Sequence, residues 1–507
     1  MKRVLEIFII SAVILGALAG VVAAAYAVGG VAERYLFTGA SRLTNIIFLM
    51  LVFVMVIATM LTLAERKWSA LMQDRIGPNR ARIALPGLQN AALAGLPHVA
   101  TDALKMLFKE DFIPATANKL LYNLGPMLAF APVFALFAVV PAGPSISYML
   151  DGQRVNVDMV VATPDFGLLY VFAIASLAVY GTSLAGWSSN NKFALLGGVR
   201  ASSQMISYEV ALGLSLVGLM LAFSSAQLPA IQGFLVNEIP FLADATYATA
   251  NPGQARYLWQ FTGAGGGFDF GIPAWGILLQ PLGFFLFFAA AFAETKRAPF
   301  DSPEGESEII GYFVEYSGMK FGMFMISEFV EIVILSGLIV VLFFGGYHLP
   351  FGGEWLASAL KDHGFLYGLL LGTFFWLKVV FLCWLQLAIR WTFPRFRYDQ
   401  IQTLGWKILF PMGLINVFVS GALVLWDPSL RMLAIFGMLE IGLLVAMTLS
   451  STKKEPGTEG HGHGGAHGAH GHGGHDAHGH ALPAHGHAAT AHADTHAVGT
   501  HPAPASH

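Results

Sequence analysis

Four glutamates stand inside apolar runs long enough to cross a membrane: Glu209, Glu328, Glu331 and Glu440. A charged side chain at mid-bilayer costs about 2.5–3.5 kcal/mol on insertion scales, so intramembrane acids are functional candidates, above all for holding and passing protons. Glu328 and Glu331 are three residues apart and share one helical face. Glu209 comes early in its run, whereas Glu440, in the short last run, reads as a helix-end carboxylate. The densest acidic stretch lies between two apolar runs and holds Glu294, Asp301, Glu304, Glu306, Glu308 and Glu315. A solvated charge run is the ordinary reading of such a cluster, but Phe300, Ile309, Ile310, Tyr312 and Phe313 are interleaved with it. Apolar surroundings and neighbouring like charges both raise the proton affinity of a carboxylate, which equips this stretch for proton relay. Pro299, Pro303 and Gly305 interrupt helical periodicity, so it is expected as a loop able to fold into a cavity between spans.

Elements of a particular kind must position these acids. Of the 507 residues, 55% are hydrophobic and 12% charged, against roughly 25% charged in a soluble domain. A bilayer core of ~30 Å needs about 20 mainly apolar helical residues. Ten stretches qualify, at roughly 4–28, 45–64, 119–140, 166–186, 204–224, 274–293, 321–346, 365–388, 405–426 and 431–450. The fold class expected is an all-α polytopic membrane protein. If Lys2 and Arg3 are cytoplasmic, so are the loops 65–118, 187–203, 294–320 and 389–404 and the C-terminal tail. Only Arg34, Arg42, Arg154, Arg256, Lys361 and Arg431 then lie outside, while Lys378 and Lys407 fall within spans, in keeping with the positive-inside rule. Ala25-Tyr26-Ala27 resembles a signal cleavage site, yet the apolar run exceeds a usual signal core, which favours a retained first helix.

Between the spans, the inner loop 65–118 mixes Arg66, Lys67, Arg75, Arg80, Arg82, Lys105 and Lys109 with apolar residues, as either an interfacial docking segment or a solvated loop would. The outer loop 225–273 is rich in Gly and Pro and reads as a surface loop. After Lys454 come Gly, Ala and 14 of the 17 histidines, a composition unable to bury a core and expected to be disordered. His461, His463, His467 and His470 are weak candidates for Zn²⁺, Ni²⁺ or Cu²⁺. Otherwise no metal site is expected.

Five blocks carry a resemblance: AERKWSALMQDRIGPNR (64–80), DALKMLFKEDFIPA (102–115), GWSSNNKFALLGGVRASSQMISYEV (186–210), AETKRAPFDSPEGESEIIGYFVEYSGMKFG (293–322) and PRFRYDQIQTLGWK (394–407). Together, and in this order, they resemble the membrane subunit of respiratory complex I that forms the quinone site, the H type of bacteria and subunit 1 of mitochondria. The resemblance implies eight core spans within 45–428, flanked by an extra helix and outer loop at 1–44, an extra helix at 429–452 and the tail at 453–507. It implies a bacterial inner-membrane protein whose cytoplasmic face docks the peripheral iron–sulfur and quinone-site subunits beside antiporter-like membrane subunits; the Lys and Arg asymmetry puts both termini on that face. It implies ubiquinone or menaquinone as substrate, with Arg66, Asp102, Lys105, Arg395 and Arg397 lining the quinone path. It places Glu209, Glu294, Asp301, Glu304, Glu306, Glu308, Glu315 and Glu328 on a proton-coupling route, with Arg297 as counter-charge. Glu331 and Glu440 receive no role.

The chain lacks other chemistry. One cysteine, Cys383, excludes an intramolecular disulfide or a four-thiolate cluster. Neither a dinucleotide-binding glycine motif nor a phosphate loop is present, and a net charge of −3 argues against a nucleic-acid partner. No cofactor is expected on this chain; NADH, FMN and iron–sulfur clusters are expected in partner subunits, and the isolated chain should have no dehydrogenase activity. Two rivals remain at this stage. A membrane-bound hydrogenase or similar complex carries a homologous anchoring subunit, and a secondary transporter also places glutamates in broken spans, although no inverted repeat is visible.

Overall fold

The computed structural model describes residues 2–37, 39–81, 95–223, 257–261, 270–303, 305, 311–350, 356, 360 and 363–451. Glu304, Glu306, Glu308, most of the outer loop 225–273 and all four tail histidines named above lie outside these residues. Among the described residues nine helices are long and apolar enough to cross a membrane, and the chain is a multi-pass, all-α membrane protein. The helices are α1 (Lys2–Tyr35), α2 (Ala40–Met72), α3 (Leu96–Phe108), α4 (Lys119–Leu136), α5 (Gly167–Ser188), α6 (Lys192–Phe223), α7 (Pro281–Glu294), α8 (Gly318–Phe343), α9 (Gly364–Thr392), α10 (Tyr398–Trp426) and α11 (Arg431–Ser451).

The expected span at 274–293 is interrupted. Gly276–Leu279 forms a short helical turn, Gln280 leaves the helical region at φ −144° and ψ 71°, and α7 restarts at Pro281. Proline has no N–H to continue the ladder and disfavours helix at the residue before it. One freed backbone N–H and the Gln280 side chain find polar partners nearby. Leu282 N–H donates to Glu440 Oε2 at 3.2 Å, and Gln280 Nε2 donates to Ser420 Oγ at 2.7 Å. Glu440 therefore caps a helix other than its own.

Helix α8 is the centre of the bundle, buried without a break from Ser327 to Phe343, with α2, α3, α4 and α9 packed around it. Helices α5, α6 and α7 and then α10 extend the bundle on one side. Gly181 of α5 lies against the backbone of Ala129 in α4, where a β-carbon would clash; such small residues let helices approach where no hydrophobic force between them operates. Helix α1 packs on α9, with Val22, Ala25 and Tyr26 fully buried and Tyr26 O–H donating to Pro144 O at 2.8 Å. It runs unbroken through the cleavage-like Ala25-Tyr26-Ala27. Beside it, between α4 and α5, a hairpin pairs β1 (Ile146–Leu150) antiparallel with β2 (Gln153–Val157), with Leu150 opposite Gln153. Its turn, Asp151-Gly152, has positive φ at both residues, the hairpin geometry Asp-Gly favours. A second pair, β3 (Tyr257–Phe261) and β4 (Phe270–Pro273), lies within the segment expected as a surface loop.

Candidate functional site

The acidic stretch after α7 folds into the bundle. Every described residue from Glu294 to Pro303 is buried, and a polar side chain of α6, Gln204, satisfies two backbone carbonyls there. Gln204 Nε2 donates to the carbonyls of Ala293 and Phe300, each at 2.8 Å, and Ser302 Oγ donates to Gln204 Oε1 at 3.1 Å. From the other side, Phe396 N–H donates to Pro299 O at 3.0 Å, and the Phe396 ring packs on Phe300. A buried backbone without such partners would be costly, and Gln204 supplies two of them.

Four basic side chains meet the acids here. Arg297 spans two carboxylates, with Nη1 3.2 Å from Glu65 and Nη2 3.0 Å from Glu328, and its guanidinium lies over the Phe329 ring. Glu65, in the C-terminal part of α2, also accepts from Arg390 near the C-terminal end of α9. Lys296 Nζ lies 3.8 Å from Glu331 Oε2, and Arg395 Nη2 lies 3.1 Å from Asp301 Oδ2. Glu294, Glu328 and Glu331 are all nearly inaccessible. A planar guanidinium presents several donors in a fixed fork and suits such double duty. Removing one partner of a buried pair strands the other charge, which makes these contacts mutually dependent.

Beside the ion pairs is a narrow cavity of about 30 Å³, lined by Glu209, Glu294 and Glu331 with apolar residues including Leu212, Phe287 and Leu335. Its volume admits about one or two waters. Glu294 Oε2 has no hydrogen-bond partner among the described residues. Outside the spans, burial raises the Asp301 carboxyl to about 6 despite the opposing pull of Arg395.

The five sequence blocks interlock around this cluster. Asn191 Nδ2 donates to Glu315 Oε1 at 2.7 Å, Ser317 Oγ donates to Glu110 O at 2.9 Å, and Lys320 pairs with Asp111 at 2.8 Å. The expected quinone-lining residues divide into groups. Arg66 and Asp102 form an exposed pair at 2.6 Å, joining α2 to α3, and Lys105 is exposed on that same α3. Arg395 turns instead to Asp301, while Arg397 pairs with Asp399 at 3.2 Å in its own segment. Glu65, adjacent to Arg66 in sequence, links the first group to the buried cluster through Arg297 and Arg390. Sequence reasoning gave no role to Glu65, Lys296, Arg390 or Glu331. Each pairs with a residue distant in sequence or on another element, and only the i, i+3 spacing of Glu328 and Glu331 pointed towards one of them. Among the described residues no three His, Cys, Asp or Glu side chains are grouped to hold a metal ion.

Comparison with known proteins agrees in extent with the blocks. A family model described as NADH dehydrogenase matches residues 44–421. An H-type NADH-quinone oxidoreductase subunit of Cytophaga hutchinsonii is 40% identical over 374 residues, covering 73% of this chain and 93% of that protein. NADH-quinone oxidoreductase subunit 8 of Rhodothermus marinus is 38% identical, with 74% and 94% covered. The H-type subunit of Bdellovibrio bacteriovorus is 37% identical, with 76% and 95% covered. With three quarters of its length aligned to nearly the whole of these relatives, the chain belongs to the NADH dehydrogenase family, as a membrane subunit of the NADH-quinone oxidoreductase kind.

Proposed function

We propose that this chain is the quinone-site subunit of a proton-pumping NADH:quinone oxidoreductase in a bacterial inner membrane, and that it couples quinone reduction to proton movement through its buried carboxylates. The observation that carries the reading is the cluster itself. It pairs four described acids, Glu65, Asp301, Glu328 and Glu331, with four basic residues, and sets Glu209 and Glu294 beside Glu331 around one cavity. A quinone needs an apolar path for its tail and a few placed donors for its head. Arg66, Asp102 and Lys105 on α2 and α3, with Arg395 and Arg397 before α10, supply that polar lining at the end nearest the cluster. Partner subunits hold NADH, FMN and iron–sulfur clusters and deliver the electrons. This chain orients the quinone and answers its change of charge: Asp301, held by Arg395, stands between the exposed basic residues and the buried Arg297 and Glu328. Glu304, Glu306 and Glu308 belong to the same acidic route.

Replacing Asp301 by Asn or Glu306 by Gln should lower NADH:quinone reductase activity roughly tenfold or more, the range in which positioned acids and bases act. NADH oxidation by a soluble artificial acceptor should persist, because it needs only the partner subunits. Full quinone reductase activity in both variants would refute the proposal, and loss of both activities together would mark failed assembly. Subunits that co-purify in mild detergent identify the donor; a nickel hydrogenase subunit in place of an NADH dehydrogenase would replace this reading.

A further inference from the structure

The cavity beside the ion pairs contains more acid than base. Glu209, Glu294 and Glu331 line it, and the buried Lys296 reaches this group at Glu331, with Nζ 3.8 Å from Glu331 Oε2. Its neighbour Arg297 is committed to Glu65 and Glu328. Among the described residues three carboxylates share this largely apolar lining, and ionising all three at once is disfavoured by burial and by their mutual repulsion. Protons must therefore reside on part of this trio. Glu294 and Glu331 line the same cavity, and Lys296 stands two residues from Glu294 in the chain. It is also held at φ 54°, a conformation that side chains beyond glycine adopt under strain and that often marks a working site. A lysine ammonium on a four-carbon stem is a compact charge able to change partners, unlike the rigid fork of arginine.

We propose that Lys296 is a positioning residue that selects which of Glu294 and Glu331 is ionised, its ammonium exchanging between the two across the cavity. In one state the ammonium pairs with the Glu331 carboxylate and Glu294 holds a proton. In the other the ammonium faces Glu294, which has released its proton, and Glu331 has accepted that proton. One proton passes between the carboxyl groups, directly or through a water in the cavity, and the total charge is unchanged. The single ammonium compensates one carboxylate at a time, while burial and repulsion between the two acids keep both from being ionised together, so each exchange moves one proton. The inference rests on the proton-relay reading above and adds to it the element that gates the relay.

The test uses the assembled complex in proteoliposomes, with protons translocated per NADH oxidised as the readout and soluble-acceptor oxidation as the check on assembly. Lys296→Met should lower the proton-to-electron ratio at least twofold. By removing one buried cation it should also add one protonated carboxyl at neutral pH, visible by infrared spectroscopy. The double variant Lys296→Met with Glu331→Gln removes both charges of the pair, so it is insulated from a stranded buried acid, and it should lack the added carboxyl signal. An unchanged ratio in Lys296→Met, or an unchanged carboxyl spectrum, overturns the proposal. Glu294→Gln and Glu328→Gln separate the two levels: if they keep the full ratio, the relay reading itself fails. If they lose it while Lys296→Met keeps it, the role of Lys296 alone is wrong.

Discussion

Asp301 shows how a single side chain is tuned between the exposed face and the buried cluster. Burial raises its carboxyl from 3.8 to about 6, the nearby Glu328 adds to that rise, and Arg395, Arg390 and Arg297 oppose it. Because the folded value exceeds the unfolded one, the protonated form is favoured by folding. That contribution is complete below about pH 3.8 and is lost as pH rises through about 6. At neutral pH Asp301 is mainly ionised and paired with Arg395; acidification towards pH 5.5 protonates it and loosens that pair. The pH profile of quinone reduction should thus show an inflection near 6 that is missing in Asp301→Asn. As pH rises from 5 to 7, thermal stability of the wild type should fall more steeply than that of the variant. An inflection near 6 that survives in Asp301→Asn would assign it to another group. The sequence made this acid visible through its company of Phe300 and prolines. It hid Glu65 and Arg390, 325 residues apart yet in contact, because a pairing of that range depends on how α2 and α9 pack and not on any local pattern.

Among elements, the spans were the most legible, since an apolar run of the required length has one physical solution in a bilayer. What composition hid was the break before α7, where Gln280 and Pro281 stand in an otherwise apolar run, and the partner that repairs it. Gly437 of α11 lies directly against the carbonyls of Leu278 and Leu279, and three residues further along the same helical face Glu440 accepts from Leu282 N–H. The β1–β2 hairpin, by contrast, had a local signal in Asp151-Gly152 that could have been read. The α7–α11 contact makes α11 a cap for an interrupted span. Glu440→Leu should destabilise the chain by about 1–3 kcal/mol through the unsatisfied N–H. Gly437→Leu should do the same by forcing α11 off the break, while Glu440→Gln, which retains an acceptor, should cost less. Thermal unfolding in detergent would measure this ranking; equal melting of all three variants and the wild type would show that α11 does not cap α7.

At the scale of the molecule, family architecture and local additions separate along the chain. The family match ends at residue 421, and the buried cluster, the loop clamped by Gln204 and the exposed Arg66–Asp102 pair all lie within it. Helices α1 and α11 fall outside the match, but both are engaged with it, α1 through buried Val22 and Tyr26 against α9 and α11 through Gly437 and Glu440 at α7. The histidine-rich segment differs from both: its Gly, Ala and His composition offers little apolar surface to bury, and it follows the last span. Deleting residues 456–507 should therefore leave assembly and NADH:quinone turnover at neutral pH within about twofold of the full chain, whereas ending the chain at 428 removes α11 and should lower thermal stability as Glu440→Leu does. The same comparison should show the full chain retained on immobilised Ni²⁺ and the 456–507 deletion not retained, since imidazole is the ligand that such a column selects. A large fall in turnover on removing the tail alone, with assembly intact, would make the segment part of the working enzyme and place a functional element beyond every residue that the buried cluster involves.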